Sequence, residues 1–270
     1  MIFTDQLNRS LEFNFPPKRI ISLVPSQSEL LWHLGLQEEL TGITKFCVHP
    51  NEMFRSVQRI GGTKTIKIDE IKKLKPDLII ANKEENQQEQ IEELCKLFPV
   101  YISEIYTLQD ALQMIAHVGL ITNRQNASID LLDKITQKYI VFKNTIAMET
   151  AIHKKKVAYL IWKNPYMAAG SHTFITEMLS ECGFINVFAH HANRYPEISI
   201  EELQKQKPDL LFLSSEPYPF KDKHIEELQV YLPQTKISLV DGELFSWYGS
   251  RLLYAFDYFT AIHKDHADIF

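Results

Sequence analysis

The apolar positions of this chain follow two periods. Runs such as Arg19-Ile-Ile-Ser-Leu-Val24, Asp77-Leu-Ile-Ile-Ala81 and Val100-Tyr-Ile-Ser103 are short and nearly continuous, as expected of strands buried on both faces. Between them the apolar residues fall three and four apart, the helical spacing. The first strand, 19–24, ends at Pro25; Ser26 is placed to cap a helix running through residues 29–34, and Gly35 stops it. A short strand at 41–44 and a helix at about 87–97 complete the first half. The second half replays the order, with strands at 156–161, 209–213 and 236–239. Its helices fall at 174–182, which Gly183 stops, at 222–231 and at about 250–264. Strand–helix alternation of this kind implies parallel sheets covered by helices.

One segment occurs twice. Ile66-Lys-Ile-Asp-Glu-Ile-Lys-Lys-Leu-Lys-Pro-Asp-Leu-Ile79 returns as Ile198-Ser-Ile-Glu-Glu-Leu-Gln-Lys-Gln-Lys-Pro-Asp-Leu-Leu211, with Glu202 in the register of Glu70 and Pro208 in that of Pro76. Each copy reads as a helix with acids in its first turn and lysines in its last, followed by a strand. The residue before each proline is steered out of the α region, which ends the helix. A single recurrence at so wide a spacing points to two similar lobes rather than a solenoid.

Between the halves the pattern is purely helical: residues 108–120, an interruption at Thr122-Asn-Arg, then 125–149. Leu132, Ile135, Tyr139, Phe142 and Ile146 form one apolar stripe along this second run. At 1.5 Å per residue a helix of about 25 residues is roughly 37 Å long. No Gly or Pro occurs from Thr122 to His153, so a stiff connection and limited lobe movement are expected. The expected division is an N-terminal α/β lobe (1–121), a connecting backbone helix (122–150) and a C-terminal α/β lobe (151–270).

Composition narrows the function. The 270 residues give room for one large domain or two moderate ones. A net charge of -5 with no basic footprint argues against a nucleic-acid partner; the run His153-Lys-Lys-Lys156 leads into an apolar strand and reads as a solvated flank. Cys47, Cys95 and Cys182 are scattered and include no Cys-x-x-Cys pair, which excludes a zinc ribbon or a dithiol redox motif. No apolar run is long enough to span a bilayer. Met1–Phe15 carries Asp5, Arg9 and Glu12 where a signal peptide would be apolar, so a cytoplasmic location is expected if Met1 is the native start.

In open α/β folds, ligands bind at the carboxyl ends of the strands. The loops there hold Ser26 and Gln27; Phe46, Cys47 and His49; Lys83; Trp162 and Tyr166; His172; Tyr218; and Asp241, Phe245, Trp247 and Arg251. Phe46, Trp162, Tyr166, Tyr218, Phe245 and Trp247 read as apolar walls, and Ser26, His172 and Asp241 as polar contacts, a lining suited to a large flat ligand. Each has a plainer alternative. Cys47-x-His49 has metal-donor chemistry, but an isolated pair is more often incidental, and no metal site is assigned. His172 otherwise caps the helix that follows. Gly61-Gly-Thr-Lys64 lacks Walker spacing and reads as a turn. Neither a nucleophile elbow nor His-Glu-x-x-His nor paired catalytic acids are present, so no catalytic residue is assigned. A two-lobed nitrogenase-like or nucleotide-sugar enzyme would need a cysteine cluster or a Gly-rich phosphate loop.

These residues together carry a resemblance. Arg19-Ile-Ile-Ser-Leu-Val-Pro-Ser-x-Ser-Glu29, Gly61-Gly-Thr-Lys64, the Glu…Lys-Pro-Asp-Leu repeat and Gly170-Ser-His172 resemble the helical-backbone metal-receptor family, the substrate-binding proteins of ABC importers for cobalamin, haem and ferric siderophores. Gly42-Ile-Thr-Lys-Phe-Cys-Val-His-Pro50 and Asn82-Lys-Glu-Glu-Asn86 look most like the cobalamin-binding subgroup. The resemblance implies a class III periplasmic-binding-protein-like fold, two α/β lobes with mostly parallel sheets joined by a long rigid helix. It implies a monomer that clamps a cobalt corrinoid, or alternatively haem or an iron chelate, between its lobes without catalysis and with no required cofactor. It also implies ABC-transporter permease subunits as partners, with Glu70 and Glu202 as the docking residues. A periplasmic or cell-envelope location follows from the family, and a cytoplasmic corrinoid carrier or sensor is the alternative.

Overall fold

The computed structural model describes residues 1–152 and 154–266. The α/β backbone forms two compact units. One comprises Met1–Ile105, Gln109–Thr136 and Tyr248–Leu253; the other comprises Tyr106–Leu108, Gln137–Trp247 and the chain from Tyr254 on.

The first unit opens with an antiparallel hairpin, β1 (Ile2–Thr4) and β2 (Ser10–Glu12). Asp5 organises its turn: the carboxylate accepts the amides of Leu7 (3.0 Å) and Arg9 (2.9 Å) and pairs with the Arg9 guanidinium at 2.7 Å. A parallel sheet follows, in the order β5-β4-β3-β6-β7, from β3 (Ile20–Ser22), β4 (Leu40–Ile43), β5 (Gln58–Arg59), β6 (Leu78–Asn82) and β7 (Val100–Ser103). Its connections carry α1 (Pro25–His33), α2 (Asn51–Ser56), α3 (Ile68–Leu74) and α4 (Gln88–Cys95). Every residue of β6 and β7 is buried, as their unbroken apolar runs predict. Helix α5 (Leu108–Ile121) then leads to α6 (Gln125–Ile152).

The second unit holds β8 (Lys156–Trp162), β9 (Met167–Ala168), β10 (Ile185–Asn186), β11 (Leu210–Ser214) and β12 (Lys236–Val240). The order β10-β8-β11-β12 is parallel, with β9 antiparallel on β8. Its helices are α7 (Phe174–Glu181), α8 (Ile200–Gln206), α9 (Asp222–Gln229), α10 (Gly242–Ser246) and α11 (Leu252–Asp265). Aromatic packing is dense here. Phe142 of α6 lies 5.8 Å from Phe256 and 6.1 Å from Phe259 of α11, and His263 stacks on Phe184 at 4.8 Å.

The duplicated segment is α3–β6 in one unit and α8–β11 in the other. Both helices end on a lysine in the left-handed region, Lys75 at φ 46°, ψ 60° and Lys207 at φ 47°, ψ 59°. The proline that follows bars the α conformation, and the chain answers with a left-handed cap rather than the usual extended residue. The aspartate one residue further on then binds the neighbouring strand. Asp77 accepts the backbone amides of Lys18 (2.7 Å) and Arg19 (2.9 Å) just before β3, and Asp209 accepts the amide of Lys156 (2.7 Å) at the start of β8.

Several expectations need correction. Ser26 does not cap α1: Pro25 occupies the first turn, its fixed φ suits that place, and Val24 is the N-cap. Nor does His172 cap α7; Thr173 does, accepting the Thr176 amide at 3.1 Å. On α6 the stripe is rotated slightly, with Leu131 buried while Leu132 and Tyr139 are half-buried. The two compact units divide within α6, after Thr136, rather than on either side of it. The structure adds the N-terminal hairpin, α2 and α10 to the elements the apolar pattern predicts. In the basic run at the head of β8, Lys154 and Lys156 are exposed, and His153 lies outside the described residues.

Two expected outcomes follow. Asp77→Ala removes two backbone acceptor contacts and Asp209→Ala one, so urea unfolding should show losses of about 2 and about 1 kcal/mol respectively; equal or reversed losses would refute the strand-tying role. His266 is buried beside Phe212, and its pKa falls from 6.5 to about 4 through burial first and then the charges of Lys236 and Lys155, offset in part by Asp265. The folded state keeps it neutral where the unfolded chain protonates. Its contribution is therefore complete above pH 6.5 and drains away as the pH falls towards 4. Melting temperature should decline across that window, and less steeply in His266→Phe.

Candidate functional site

In each sheet the parallel strands bring their following loops to one edge, and the candidate residues are described unit by unit. In the first unit the edge is polar and internally tied. Asn82 ends β6 and closes its own loop: its Oδ1 accepts the amides of Glu84 (2.9 Å) and Glu85 (3.1 Å), while its backbone amide donates to Asn86 Oδ1 at 2.9 Å. Asn86 donates in turn to the carbonyls of Leu23 (3.2 Å) and Thr63 (3.1 Å), so three strand ends are laced together. Ser103 Oγ, at the end of β7, accepts from Asn82 Nδ2 (3.0 Å) and Gln27 Nε2 (2.5 Å).

This network takes two candidates inward. Gln27 and Cys47 are wholly buried. Cys47 Sγ lies 3.1 Å from both Ser28 Oγ and Thr44 Oγ1, and burial pushes its thiol pKa up, which makes it an inert packing group. Ser26 is also buried, in the first turn of α1. Phe46 stands out at 50% exposure, with the Lys45 ammonium 5.0 Å above its ring. Lys83 is exposed and pairs with Glu104. His49 is half-buried. Arg251 donates through Nε to Glu29 Oε2 at 3.1 Å, a partner on α1 that the sequence did not suggest.

In the second unit the edge is aromatic. Trp162, 39% exposed at the end of β8, meets Tyr218 of the loop after β11 edge to face at 5.7 Å. Tyr218 continues to Phe220 at 4.8 Å and to His224, whose Nε2 is 3.4 Å from the Tyr218 hydroxyl. Tyr166 donates to Glu227 Oε1 at 3.1 Å, and Lys163 pairs with the same carboxylate. That lysine holds the Glu227 carboxyl below the usual range, while burial and the glutamate push the Tyr166 phenol up. Trp162, Tyr166 and Tyr218 thus belong to one cluster.

Glu216 organises a neighbouring part of the same edge. One oxygen accepts both Trp247 Nε1 and Ser246 Oγ, each at 2.9 Å. Gly242 fits here because a Cβ would lie 2.2 Å from Ser214 Oγ and 2.8 Å from Glu216 Cγ. Asp241 is half-buried and caps α10, accepting the Glu243 amide at 3.0 Å. Trp247 is mostly buried. Phe245 is a core residue and not a wall: it is wholly buried, 4.6 Å from Phe259 and 5.3 Å from Tyr159. His172 is exposed at φ 51°, edge-on to Tyr106 at 6.5 Å, and the Arg194 guanidinium lies 5.1 Å from the Tyr106 ring. Glu216, Tyr106 and Arg194 carry no motif, and only the sheet topology reveals their place.

The matched glutamates differ in their partners. Glu70 pairs with Lys73 at 2.7 Å and accepts Gln58 Nε2 at 3.3 Å, and the Lys73 contact holds its carboxyl below the usual range. Glu202 belongs to a capping box: its Oε2 accepts the Ser199 amide at 2.7 Å and its own amide donates to Ser199 Oγ at 3.2 Å. Among the described residues no group of three or more His, Cys, Asp or Glu could hold a metal ion, and no helix is long and apolar enough to cross a membrane.

Known proteins bear on this geometry. The chain is 28% identical over 206 residues to a vitamin B12-binding protein of Vibrio parahaemolyticus, covering 74% of this chain and 72% of that one. In fold it is similar to the periplasmic vitamin B12 binding protein BtuF of Vibrio cholerae (TM-score 0.79, 22% identity, 94% of this chain and 100% of that one). It is likewise similar to the periplasmic haem-binding protein RhuT of Roseiflexus sp. RS-1 (TM-score 0.78, 20% identity, 93% and 99%). The model of the periplasmic binding protein family matches residues 20–230, which takes in both copies of the duplicated segment; the chain belongs to that family.

Proposed function

We propose that this chain is the substrate-binding protein of an ABC importer and that its cargo is a corrinoid, held without catalysis by the loops at the carboxyl ends of its parallel strands. The observation that carries this reading is the aromatic pair of exposed Trp162 and half-buried Tyr218, set at the carboxyl edge of a sheet in a family of binding proteins. The vitamin B12-binding names of the relatives support the choice of cargo. The protein works in the cell envelope, where a membrane permease accepts the cargo, and Glu70 and Glu202 dock to that permease. Each glutamate sits in the first turn of a short helix of its own unit. Docking exchanges the Lys73 contact of Glu70 for a basic group of the permease.

A second reading, haem as cargo, draws on one observation: exposed His172 lies beside Tyr106, and both residue types ligate haem iron.

Titration with cobinamide, cobalamin, haemin and a ferric hydroxamate siderophore separates these readings through tryptophan fluorescence. Corrinoids should quench most strongly, and Trp162→Ala should weaken their binding about tenfold. Strongest quenching by haemin would select the second reading, and no quenching by any of the four would end both. For docking, Glu70→Gln combined with Glu202→Gln keeps a side-chain acceptor for the Ser199 amide while removing both charges. Uptake in a reconstituted importer should fall at least about tenfold with cargo affinity retained; undiminished uptake would rule out the docking role.

A further inference from the structure

The turn at Gly61-Gly-Thr-Lys64 borders a recess of about 610 Å³ in the first unit, and its charged lining is uniform: Lys45, Arg59, Lys64 and Lys67, joined by the amides Gln87 and Gln90. No carboxylate lines it, in a chain whose net charge is -5. Among the described residues none of the four cations has a carboxylate at ion-pair distance. Lys45 sits over the Phe46 ring, and Lys64 Nζ donates to the Glu84 carbonyl at 2.5 Å. Arg59 donates through Nη1 to the carbonyls of Phe54 and Val57, the latter at 2.7 Å, and its guanidinium carbon lies 5.1 Å from the Phe54 ring. Its other nitrogens make no hydrogen bond among the described residues. The nearby Glu70 is engaged by Lys73 and Gln58.

The backbone around the recess is fixed. Gly61 has φ +112°, and a Cβ there would lie 2.3 Å from the Thr65 carbonyl oxygen. The Gly62 amide donates to the Thr65 carbonyl at 3.0 Å, and the Gln90 side chain grips Ile66 twice, accepting its amide at 3.2 Å and donating to its carbonyl at 3.3 Å. Like charges converging on a rigid turn repel one another, and an anion with several acceptor oxygens relieves that repulsion.

We propose that this recess is a binding site for a phosphate group, with Lys45, Arg59, Lys64 and Lys67 as its donors. Ammonium groups on flexible stems beside a forked guanidinium suit a multiply charged tetrahedral anion better than a single carboxylate. The phosphate belongs either to a free small molecule or to an anionic lipid headgroup.

Two measurements on the full chain test it. In thermal unfolding at constant ionic strength, pyrophosphate should raise the melting temperature of the wild-type protein where chloride does not. Lys45→Gln combined with Lys67→Gln should weaken the apparent affinity about tenfold or more, while Lys223→Gln, outside the recess, leaves it unchanged. In flotation assays with phosphatidylglycerol or phosphatidylcholine vesicles, binding to the former that is lost in the double variant assigns the headgroup, and pyrophosphate binding without flotation assigns a free phosphate. If neither pyrophosphate nor phosphatidylglycerol binds, or the double variant binds both as the wild type does, the proposal fails.

Discussion

A carboxylate bound to the backbone of the adjacent strand holds each sheet in register. In both units the order of events is the same: a helix closes on a left-handed lysine, proline turns the chain, and aspartate catches the first amides of the neighbouring strand. That contact sets Ile20 opposite Leu78 in one sheet and Val157 opposite Leu210 in the other. A slip of one residue would exchange the faces of a strand that is buried on both sides and would move every loop at its far end. The carboxyl-edge loops are therefore placed by an interaction at the opposite end of the same strands.

On this shared scaffold the two edges have diverged. In the first unit Asn82, Asn86, Ser103 and Gln27 spend their polar atoms on one another and on strand ends, which makes the edge rigid. In the second, aromatic rings do the equivalent packing, and carboxylates at Glu216 and Glu227 fix the orientation of Trp247 and Tyr166. Polar lacing suits precise placement of a few contacts, whereas aromatic faces supply broad contact area at little conformational cost.

The parallel α/β class, the duplicated unit and the family were legible because they rest on local signals: unbroken apolar runs, glycine stops, and the order of Lys-Pro-Asp-Leu segments. The strands β6, β7 and β11 are buried along their whole length as those runs require. Site residues were legible only as far as loop membership goes. Phe245 lies in a loop-like stretch by sequence, yet α10 turns it into the core, where only a three-dimensional neighbour such as Phe259 reveals its role. Cys47 has metal-donor chemistry, yet the hydroxyls of Ser28 on α1 and Thr44 three residues before it occupy its sulfur. Glu216 and Arg251 have partners far away in sequence, a relationship that no spacing rule encodes.

Neither unit is a continuous stretch of chain. The first unit is completed only by Tyr248–Leu253, where Arg251 binds Glu29 and Gly249 packs close to the Ser26 carbonyl. During synthesis a ribosome makes residues 137–247 of the second unit before that strip exists. Most of the first unit must wait, finished except for its closing piece, until residue 253 has been made. The order of assembly is thereby set by topology: the first unit cannot be sealed before the strands of the second have been made, and loss of residues 248–253 is felt at α1.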